Sequence, residues 1–345
     1  MKVSIYDVAK RSGLSVVTVS RVLNKDPSVR EKNRQKVLQA MKELAYHPKA
    51  AARSLAKGRT GLVGMMISTL DDSFFDEVTK EISHQLAERG YYLTLSIVSG
   101  EEEDRSSMFF HEDHVDGVIL LSPMNEISTT LQLNERNIPY VLIDHQFPAP
   151  SVPTISVDNY AGAIMAVNHL IELGHQAISL IGGPEIFLSS RERERGFRDA
   201  MEQAGLTPFS IEPGDFQIAS GQAAADRWIA AGKIPTGVFA ADDHMALGVM
   251  DVCKSAGIRI PQDLSIVGFD DQLFGSQFRP KLTTVRQPAE RIGRKAVELL
   301  LERIEKPDGK EGEEPADLVL TPELVIREST SCPGTPDRKG GGETA

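Results

Sequence analysis

The N-terminal part of this chain is organised around the stretch Ser15-Val16-Val17-Thr18-Val19-Ser20-Arg21-Val22-Leu23-Asn24. Just before it, residues 5–11 have the apolar spacing of a short helix, with Ile5, Val8 and Ala9 on one face. Residues 12–14 form the turn between the two segments, because Gly13 supplies the backbone freedom that a sharp turn needs. The two segments together are predicted to form a helix-turn-helix.

Both helices begin at residues that are suited to capping. Ser4 is followed three residues later by Asp7, which resembles a capping box and places an acidic group at the positive end of the helix. Ser15 stands before the second helix as a preferred N-cap residue. The second helix is expected to point three side chains into a small core: Val19, Val22 and Leu23.

The outward face of the second helix is suited to a DNA major groove. Exposed valines at a helix N-terminus match thymine methyl groups, and Arg21 matches guanine edges. Thr18, Ser20 and Asn24 suit phosphate oxygens. The side chains expected on the outside are Val16, Val17, Thr18, Ser20 and Arg21. The alternative interpretation is a three-helix unit with an ordinary surface.

Charge is distributed unevenly along the chain. Residues 1–60 contain 14 basic and 4 acidic side chains, a net charge of +10, whereas residues 61–345 contain 24 basic and 45 acidic ones, a net charge of −21. A basic segment joined to an acidic body indicates a nucleic-acid-binding module attached to a part that does not bind nucleic acid.

Cysteine usage and hydropathy exclude two other classes of protein. Cys253 and Cys332 are too few for a disulfide framework or a zinc site. No apolar run is long enough to span a membrane, and no apolar segment follows Met1. We therefore expect a cytoplasmic protein with no metal site and no membrane partner.

Two further helical segments follow the helix-turn-helix. A third helix runs to about Ala45, and it starts either with Ser28 as the cap or at Arg30. Residues 49–57 have high helix propensity but are too short to be stable alone. Two copies of this segment side by side on a duplex would each insert Leu55 into the minor groove, whereas the alternative is a plain linker helix.

From Leu62 onward, apolar runs alternate with helical stretches, which is typical of parallel sheets with crossover helices. The candidate strands are 62–68, 91–98, 117–121 and 140–143 in a first series, and 154–157, 177–181, 237–241 and 264–269 in a second. The candidate helices are 74–89, 102–112, 126–137, 159–173, 190–204, 218–231 and 243–256. Two α/β halves of similar size predict two lobes with a cleft between them.

Aspartates follow several of these strands: Asp71 and Asp72, Asp144, Asp242 and Asp243, and Asp270 and Asp271. Ligands in open α/β sheets bind beyond the carboxyl ends of strands, so these positions predict a binding cleft. A single aspartate in such a position is more often a helix cap, and we expect Asp243 to be one.

The motifs of the chain resemble the LacI/GalR family of bacterial transcription regulators up to about Thr330. They are Ile5-Tyr6-Asp7-Val8-Ala9, Thr18 to Asn24, Pro48 to Leu55, Gly162 to His175, Gly196-Phe197, Asp243 to Gly248, Gly268 to Asp271 and Leu282 to Val285. The resemblance implies a homodimeric α/β protein with a helix-turn-helix head and a two-lobed core like that of periplasmic binding proteins. No leucine heptads follow residue 331, so we expect the tetramerising tail of the lac repressor to be absent.

On that model the head covers 1–48 and a hinge helix with its linker covers 49–60. The first lobe covers 61–158 with 284–310, the second covers 159–283 with 311–330, and the tail at 331–345 is disordered. The predicted DNA-contacting residues are Tyr6, Ser15, Val16, Val17, Thr18, Ser20, Arg21, Asn24, Ala52 and Leu55. The resemblance places effector contacts at Asp72, Phe74, Asp144, Arg193, Phe216, Asp242 and Asp270.

The charge of this implied site favours a neutral sugar as the effector. Four aspartates balanced by Arg193 alone would repel a sugar phosphate, while Arg193 and Asp270 together match a vicinal diol. The predicted function is a repressor of a carbohydrate-utilisation operon that binds a near-palindromic operator. The alternatives are a purine-responsive regulator, a regulator that needs a protein partner, and a sugar-cleaving enzyme that uses paired carboxylates.

Overall fold

The computed structural model describes residues 3–23, 26–46, 59–70, 73–98, 115–147, 152–306 and 317–334. The chain separates into two compact units: residues 1–62 with 113–116, and the remainder. Among the described residues, none of the helices combines the length and the apolar character that a membrane span requires. The predicted helix at 102–112, the hinge segment at 49–57 and most of the tail lie outside the described residues.

The head consists of helices α1 (Ile5–Ser12), α2 (Val16–Leu23) and α3 (Glu31–Glu43). The Asp7 carboxylate accepts hydrogen bonds from the Ser4 N–H at 2.9 Å and from the Ser4 hydroxyl at 2.7 Å. Gly13 ends α1 in the left-handed conformation, with φ of 69°, which is why the turn is tight. The core of the head contains Val8, Ala9, Val19, Val22, Val37 and Ala40. The helix-turn-helix prediction is therefore confirmed.

The start of the third helix is settled by the loop that precedes it. The Ser28 N–H donates to the Asp26 side chain at 2.8 Å, so Ser28 lies in a turn rather than at the helix cap. Helix α3 begins at Glu31, and Arg30 occupies the cap position without a side-chain hydrogen bond. Of the two predicted alternatives, the start at Arg30 is the nearer one, since Arg30 is the cap and the helix begins one residue later.

The second unit is built from alternating strands and helices. Its first elements are β1 (Leu62–Ile67), α4 (Ser73–Glu88), β2 (Tyr92–Ile97), β3 (Gly117–Leu121), α5 (Glu126–Glu135), β4 (Tyr140–Ile143) and β5 (Thr154–Val157). They are followed by α6 (Asn159–Glu172), β6 (Ile178–Ile181), α7 (Leu188–Gln203), β7 (Ser210–Glu212), α8 (Ile218–Ala230), β8 (Gly237–Ala240), α9 (Asp243–Ser255) and β9 (Ser265–Asp270). The last elements are β10 (Thr283–Arg286), α10 (Ala289–Glu305), β11 (Asp317–Leu320) and β12 (Glu323–Val325).

These strands form two six-stranded sheets, one in each lobe. The first lobe has the order β11-β5-β4-β3-β1-β2, and the second has β12-β10-β9-β8-β6-β7. The pair of β10 with β12 is antiparallel, whereas β8 and β9 pair in parallel. Helix α10 fills the core of the first lobe with Ile292, Val297 and Leu300. The predicted two-lobed α/β fold is therefore present.

The chain crosses between the lobes at different points from those predicted. Strand β10 belongs to the second sheet, and β11 belongs to the first. The crossovers after β5 therefore lie between Arg286 and Ala289 and between Leu320 and Glu323, so the predicted boundaries at 284 and 311 are wrong. The reason is that a short apolar run predicts a strand but not the sheet that the strand joins, because pairing partners are distant in sequence.

Candidate functional site

The recognition face of the head presents some of the predicted DNA-contacting side chains more fully than others. Tyr6 and Val17 are 71% and 61% exposed, and Arg21 is exposed. Val16 is only partly accessible because it packs against the core of the head, so of the two valines expected on the outside Val17 is the exposed one. Thr18 and Ser20 are half-buried. Asn24, Ala52 and Leu55 lie outside the described residues.

The start of the recognition helix is held by Ser15. Its hydroxyl oxygen accepts the Thr18 backbone N–H at 3.2 Å and lies 2.9 Å from the Thr18 hydroxyl. Both side chains therefore serve the helix cap before they contact any phosphate. Of the predicted DNA-contacting residues that the structure describes, Tyr6, Val17 and Arg21 are exposed and take no part in this cap.

A cavity of about 220 Å³ lies between the two lobes, beyond the carboxyl ends of their strands. The first lobe contributes Phe74, Phe75, Ser122, Met124 and Asp144 to its walls. The second lobe contributes Phe187, Ser189, Arg193, Asp215, Phe216, Gln217, His244 and Asp270, and Gln287 lies on the crossover that follows β10. Five of the seven predicted effector positions therefore line one cavity: Phe74, Asp144, Arg193, Phe216 and Asp270.

Arg193 is fixed in place from several sides. Its Nε donates to Asn159 Oδ1 at 2.9 Å, and one terminal nitrogen donates to the Ala241 carbonyl at 2.5 Å. The other terminal nitrogen lies 3.5 Å from Asp270 Oδ1, and both side chains are more than 90% buried. The guanidinium also stacks on Phe269, with its central carbon 3.7 Å from the ring centroid. A charge held this firmly at a cavity wall needs little further ordering to bind a polar ligand.

The backbone is strained where the cavity is most polar. Seven described non-glycine residues have positive φ, and four of them line the cavity: Ser122, Asp144, Phe216 and Asp270, with φ of 44°, 54°, 63° and 105°. Such conformations persist only when surrounding contacts hold them, and they cluster at binding sites. Ser122 donates to Asp144 at 2.5 Å, and Gln287 donates to Asp270 at 2.6 Å.

Neither aspartate of the 242–243 pair has the predicted role. Asp242 is the N-cap of α9, accepting the Met245 N–H at 2.8 Å, and it does not line the cavity. The prediction that Asp243 is the cap is wrong. Asp243 is fully buried instead, and its carboxylate accepts the Thr284 hydroxyl at 2.6 Å and the Gln272 N–H at 2.7 Å. Burial raises the pKa of Asp243 well above the usual range.

Several cavity residues were not predicted from the sequence. Gln287 directly follows strand β10, so the rule that ligands bind beyond strand ends would have found it if that strand had been assigned. Ser122 follows β3 in the same way, while Phe187 and His244 lie at helix starts where no polar pattern marks them. Asp72, which was predicted, lies outside the described residues.

Two family models match the chain. Residues 4–49 match the model described as bacterial regulatory proteins, lacI family, and residues 167–330 match the periplasmic binding protein-like domain. The HTH-type transcriptional repressor PurR of Aliivibrio fischeri is 36% identical over 335 residues, covering 95% of this chain and 98% of the relative. This chain belongs to the LacI family of transcriptional regulators. It is therefore a DNA-binding repressor and not an enzyme.

Other relatives agree with this assignment to the LacI family. PurR of Haemophilus influenzae strain PittEE is 35% identical over 334 residues, covering 94% of this chain and 98% of the relative. The lac repressor dimer bound to operator and the anti-inducer ONPF superimposes with a TM-score of 0.85 at 29% identity, covering 96% of this chain and all of that one. The CelR–cellobiose complex superimposes with a TM-score of 0.72 at 33% identity, covering 95% of this chain and all of that one. As a LacI-family repressor, the protein forms a dimer that binds operator DNA, and it also binds a small-molecule effector.

Proposed function

We propose that this LacI-family repressor controls a carbohydrate-utilisation operon in the cytoplasm, and that its effector is a small neutral sugar bound in the cavity between the lobes. The observation that carries the proposal is the set of three carboxylates on the cavity wall: Asp144, Asp215 and Asp270. The permanent positive charge on that wall is Arg193.

Hydrogen-bonding capacity favours a ligand that is rich in hydroxyl groups. Ionised carboxylates only accept hydrogen bonds, so a ligand facing Asp144, Asp215 and Asp270 must supply donors. A sugar presents an O–H donor at almost every ring carbon, whereas an anionic sugar phosphate would be repelled by the same carboxylates. Arg193 and Asp270, 3.5 Å apart, offer a donor and an acceptor to neighbouring hydroxyls.

The aromatic side chains of the cavity fit the other property of a sugar, which is its apolar ring face. Phe187 and Phe216 lie together on the second lobe, with ring centroids 6.1 Å apart, and Phe74 lies on the first lobe. A ring placed between these walls would bury its C–H face on one or both of them. Two structural relatives support a sugar by their contents: one is a complex of CelR with cellobiose, and the other has bound ribose at 26% identity and a TM-score of 0.71, covering 79% of this chain and 99% of that one.

A purine is the second candidate effector. The observation that favours it is the 36% identity to PurR along 95% of this chain. A flat heterocycle would also fit between Phe74 and Phe216. The unprotonated ring nitrogens and the carbonyl oxygen of a purine base can only accept hydrogen bonds, and the three carboxylates of the cavity wall cannot serve those atoms, which is why we rank it below a sugar.

A thermal-shift screen of the full-length protein distinguishes these candidates. The panel is cellobiose, ribose, glucose, glucose 6-phosphate, hypoxanthine and guanine, and a ligand at about 100-fold above its Kd stabilises the protein by about 2.7 kcal/mol. We expect a rise in Tm with a neutral sugar. A shift with a purine alone would replace the sugar by the second candidate, and no shift with any compound would contradict both. The rise in Tm with ligand should be sensitive to Arg193→Ala. It should be insensitive to Arg195→Ala, which changes an exposed arginine of the same helix.

For the DNA complex we propose that each head reads one half of a near-palindromic operator, with Tyr6, Val17 and Arg21 contacting the major groove. The hinge at 49–60 would insert Leu55 into the minor groove, and closure of the lobes on the sugar would release it. Leu55→Ala should weaken binding to an operator obtained by in vitro selection, as measured by fluorescence anisotropy, and leave the thermal shift with sugar intact. Unchanged operator affinity would remove Leu55 from the interface.

A further inference from the structure

A second set of contacts joins the two lobes beside the cavity, and Gln146 is at its centre. Gln146 follows β4 of the first lobe and is only 3% exposed. Its backbone N–H donates to Glu126 Oε2 at 2.6 Å, and its side-chain Nε2 donates to the Asp144 carbonyl at 2.8 Å. These two bonds fix Gln146 within its own lobe.

The two acceptor groups of Gln146 are used by the opposite lobe. Its side-chain Oε1 accepts the Leu188 backbone N–H at 2.9 Å, and its carbonyl oxygen accepts a hydrogen bond from Arg191 at 3.2 Å. Arg191 also donates to the carbonyls of Glu185 and Ile186 at 2.7 and 3.0 Å, so it holds the loop that leads into α7. Gln146 therefore has a hydrogen-bond partner at every polar position.

The bond to Leu188 does the work of a helix cap. Leu188 is the first residue of α7, and Phe187 at the cap position has no side-chain group that accepts a hydrogen bond. The first N–H groups of a helix have no partner within the helix and need one from elsewhere. For α7 that partner comes from the other lobe.

We propose that Gln146 is a positioning residue that makes the order of the first turn of α7 depend on the closure of the two lobes. Helix α7 carries Ser189 and Arg193 into the cavity, one residue and five residues after Leu188. When the lobes separate, the Leu188 N–H loses its acceptor, and Arg191 loses one of its three carbonyl acceptors. The first turn then frays, and the wall that carries Ser189 loosens. This inference holds for a sugar or a purine effector, since the contacts join groups of the two lobes to each other and not to the ligand.

Hydrogen–deuterium exchange of the full-length protein without ligand tests this coupling. In Gln146→Ala we expect amides in 186–192 to exchange roughly five- to tenfold faster, the effect of losing one buried hydrogen bond. The matched control is Gln203→Ala, which removes the same group at the exposed C-terminal end of the same helix and should leave 186–192 unchanged. Faster exchange in 143–147 alone would show that Gln146 acts only within its own lobe, and would overturn the proposal.

A second variant tests the same coupling from the other side and keeps Gln146 in place. Arg191→Ala, on the second lobe, should speed exchange in 143–147 on the first lobe by roughly two- to fivefold. Arg195→Ala is its control, because Arg195 pairs with Glu192 within the same helix. If Gln146→Ala does not fold, this variant decides alone, and unchanged exchange in 143–147 overturns the proposal.

Discussion

The two walls of the cavity are held in different ways. On the second lobe, Arg193 is bonded to Asn159, Ala241 and Asp270 and is stacked on Phe269, all within that lobe. On the first lobe, the Asp144 carboxylate accepts one side-chain hydrogen bond among the described residues, from the Ser122 hydroxyl. A wall with pre-organised polar groups loses little freedom on binding. The difference suggests that a ligand meets the second lobe first and that the first lobe adds its contacts on closure.

Of the variants that test this difference between the walls, Arg193→Ala should cause the largest loss of sugar affinity. It removes the buried cation and leaves Asp270 without its ion-pair partner, a change that typically costs about 4 kcal/mol, or roughly a thousandfold in affinity. Isothermal titration with the sugar that shifts Tm measures the loss, and operator binding should persist. Affinity within threefold of the parent protein would mean that the second lobe is not the anchoring wall.

Phe74→Ala and Phe216→Ala compare the two walls through the free energy of unfolding and the sugar affinity, without changing a charge. Phe74 belongs to the core of the first lobe and is 8% exposed, so its truncation should lower the free energy of unfolding by about 3 kcal/mol. Phe216 is only partly buried, so its truncation should cost mainly sugar affinity, by about 1 kcal/mol. Urea unfolding and titration measure the two quantities. Equal losses of stability in the two variants would contradict the assignment.

Replacing the carboxylate of Asp270 on the second lobe should weaken sugar binding more than replacing that of Asp144 on the first lobe. Asp270→Asn places an amide beside Arg193 and should weaken sugar binding by about 2 kcal/mol. Asp144→Asn keeps an oxygen that can accept from Ser122 and should cost about 1 kcal/mol. Titration of both variants checks the order. A larger loss for Asp144→Asn would move the anchoring contacts to the first lobe.

The smallest effect is the pH dependence that the buried histidines give to the stability of the second lobe. Burial lowers the pKa of His169 and of His175 below the ordinary value of 6.5, so the folded protein protonates them only at a lower pH than the unfolded chain does. Between the lowered pKa and 6.5 the unfolded chain binds more protons, so the free energy of unfolding falls as the pH drops below 6.5. Asp243, with its raised pKa, contributes in the opposite direction.

Trp228 reports this change selectively, because it is the single tryptophan of the chain and is buried in the second lobe. The urea midpoint from its fluorescence at pH 7.5 minus the midpoint at pH 5.5 should be smaller in His175→Gln than in the parent protein, because the substitution removes a group whose protonation favours the unfolded chain and leaves Asp243 in place. His84→Gln is the control, since His84 lies exposed on α4 of the first lobe. An equal change in both variants would show that the burial of His175 is not the cause of the pH dependence.

Local sequence was sufficient for the head and for most elements of the core. The strand at 117–121 and the strand at 140–143 were predicted to the residue, because fully buried apolar runs between turns have clear ends. The caps at Ser4, Asp7 and Ser15 act over three residues and were equally visible. The family motifs then placed five effector positions that the structure brings to one cavity.

The sequence by itself determined the helices of the head, most of the helices and strands up to residue 270, and that a basic head precedes an acidic body. Only the tertiary structure decided that β10 and β11 belong to different sheets, that Asp242 caps α9 while Asp243 is buried, and that Gln146 caps α7 from the other lobe. The physical reason is the separation along the chain of the residues that interact. Capping and periodicity act between residues a few positions apart, whereas Gln146 and Leu188 are 42 residues apart and meet only when both lobes have folded.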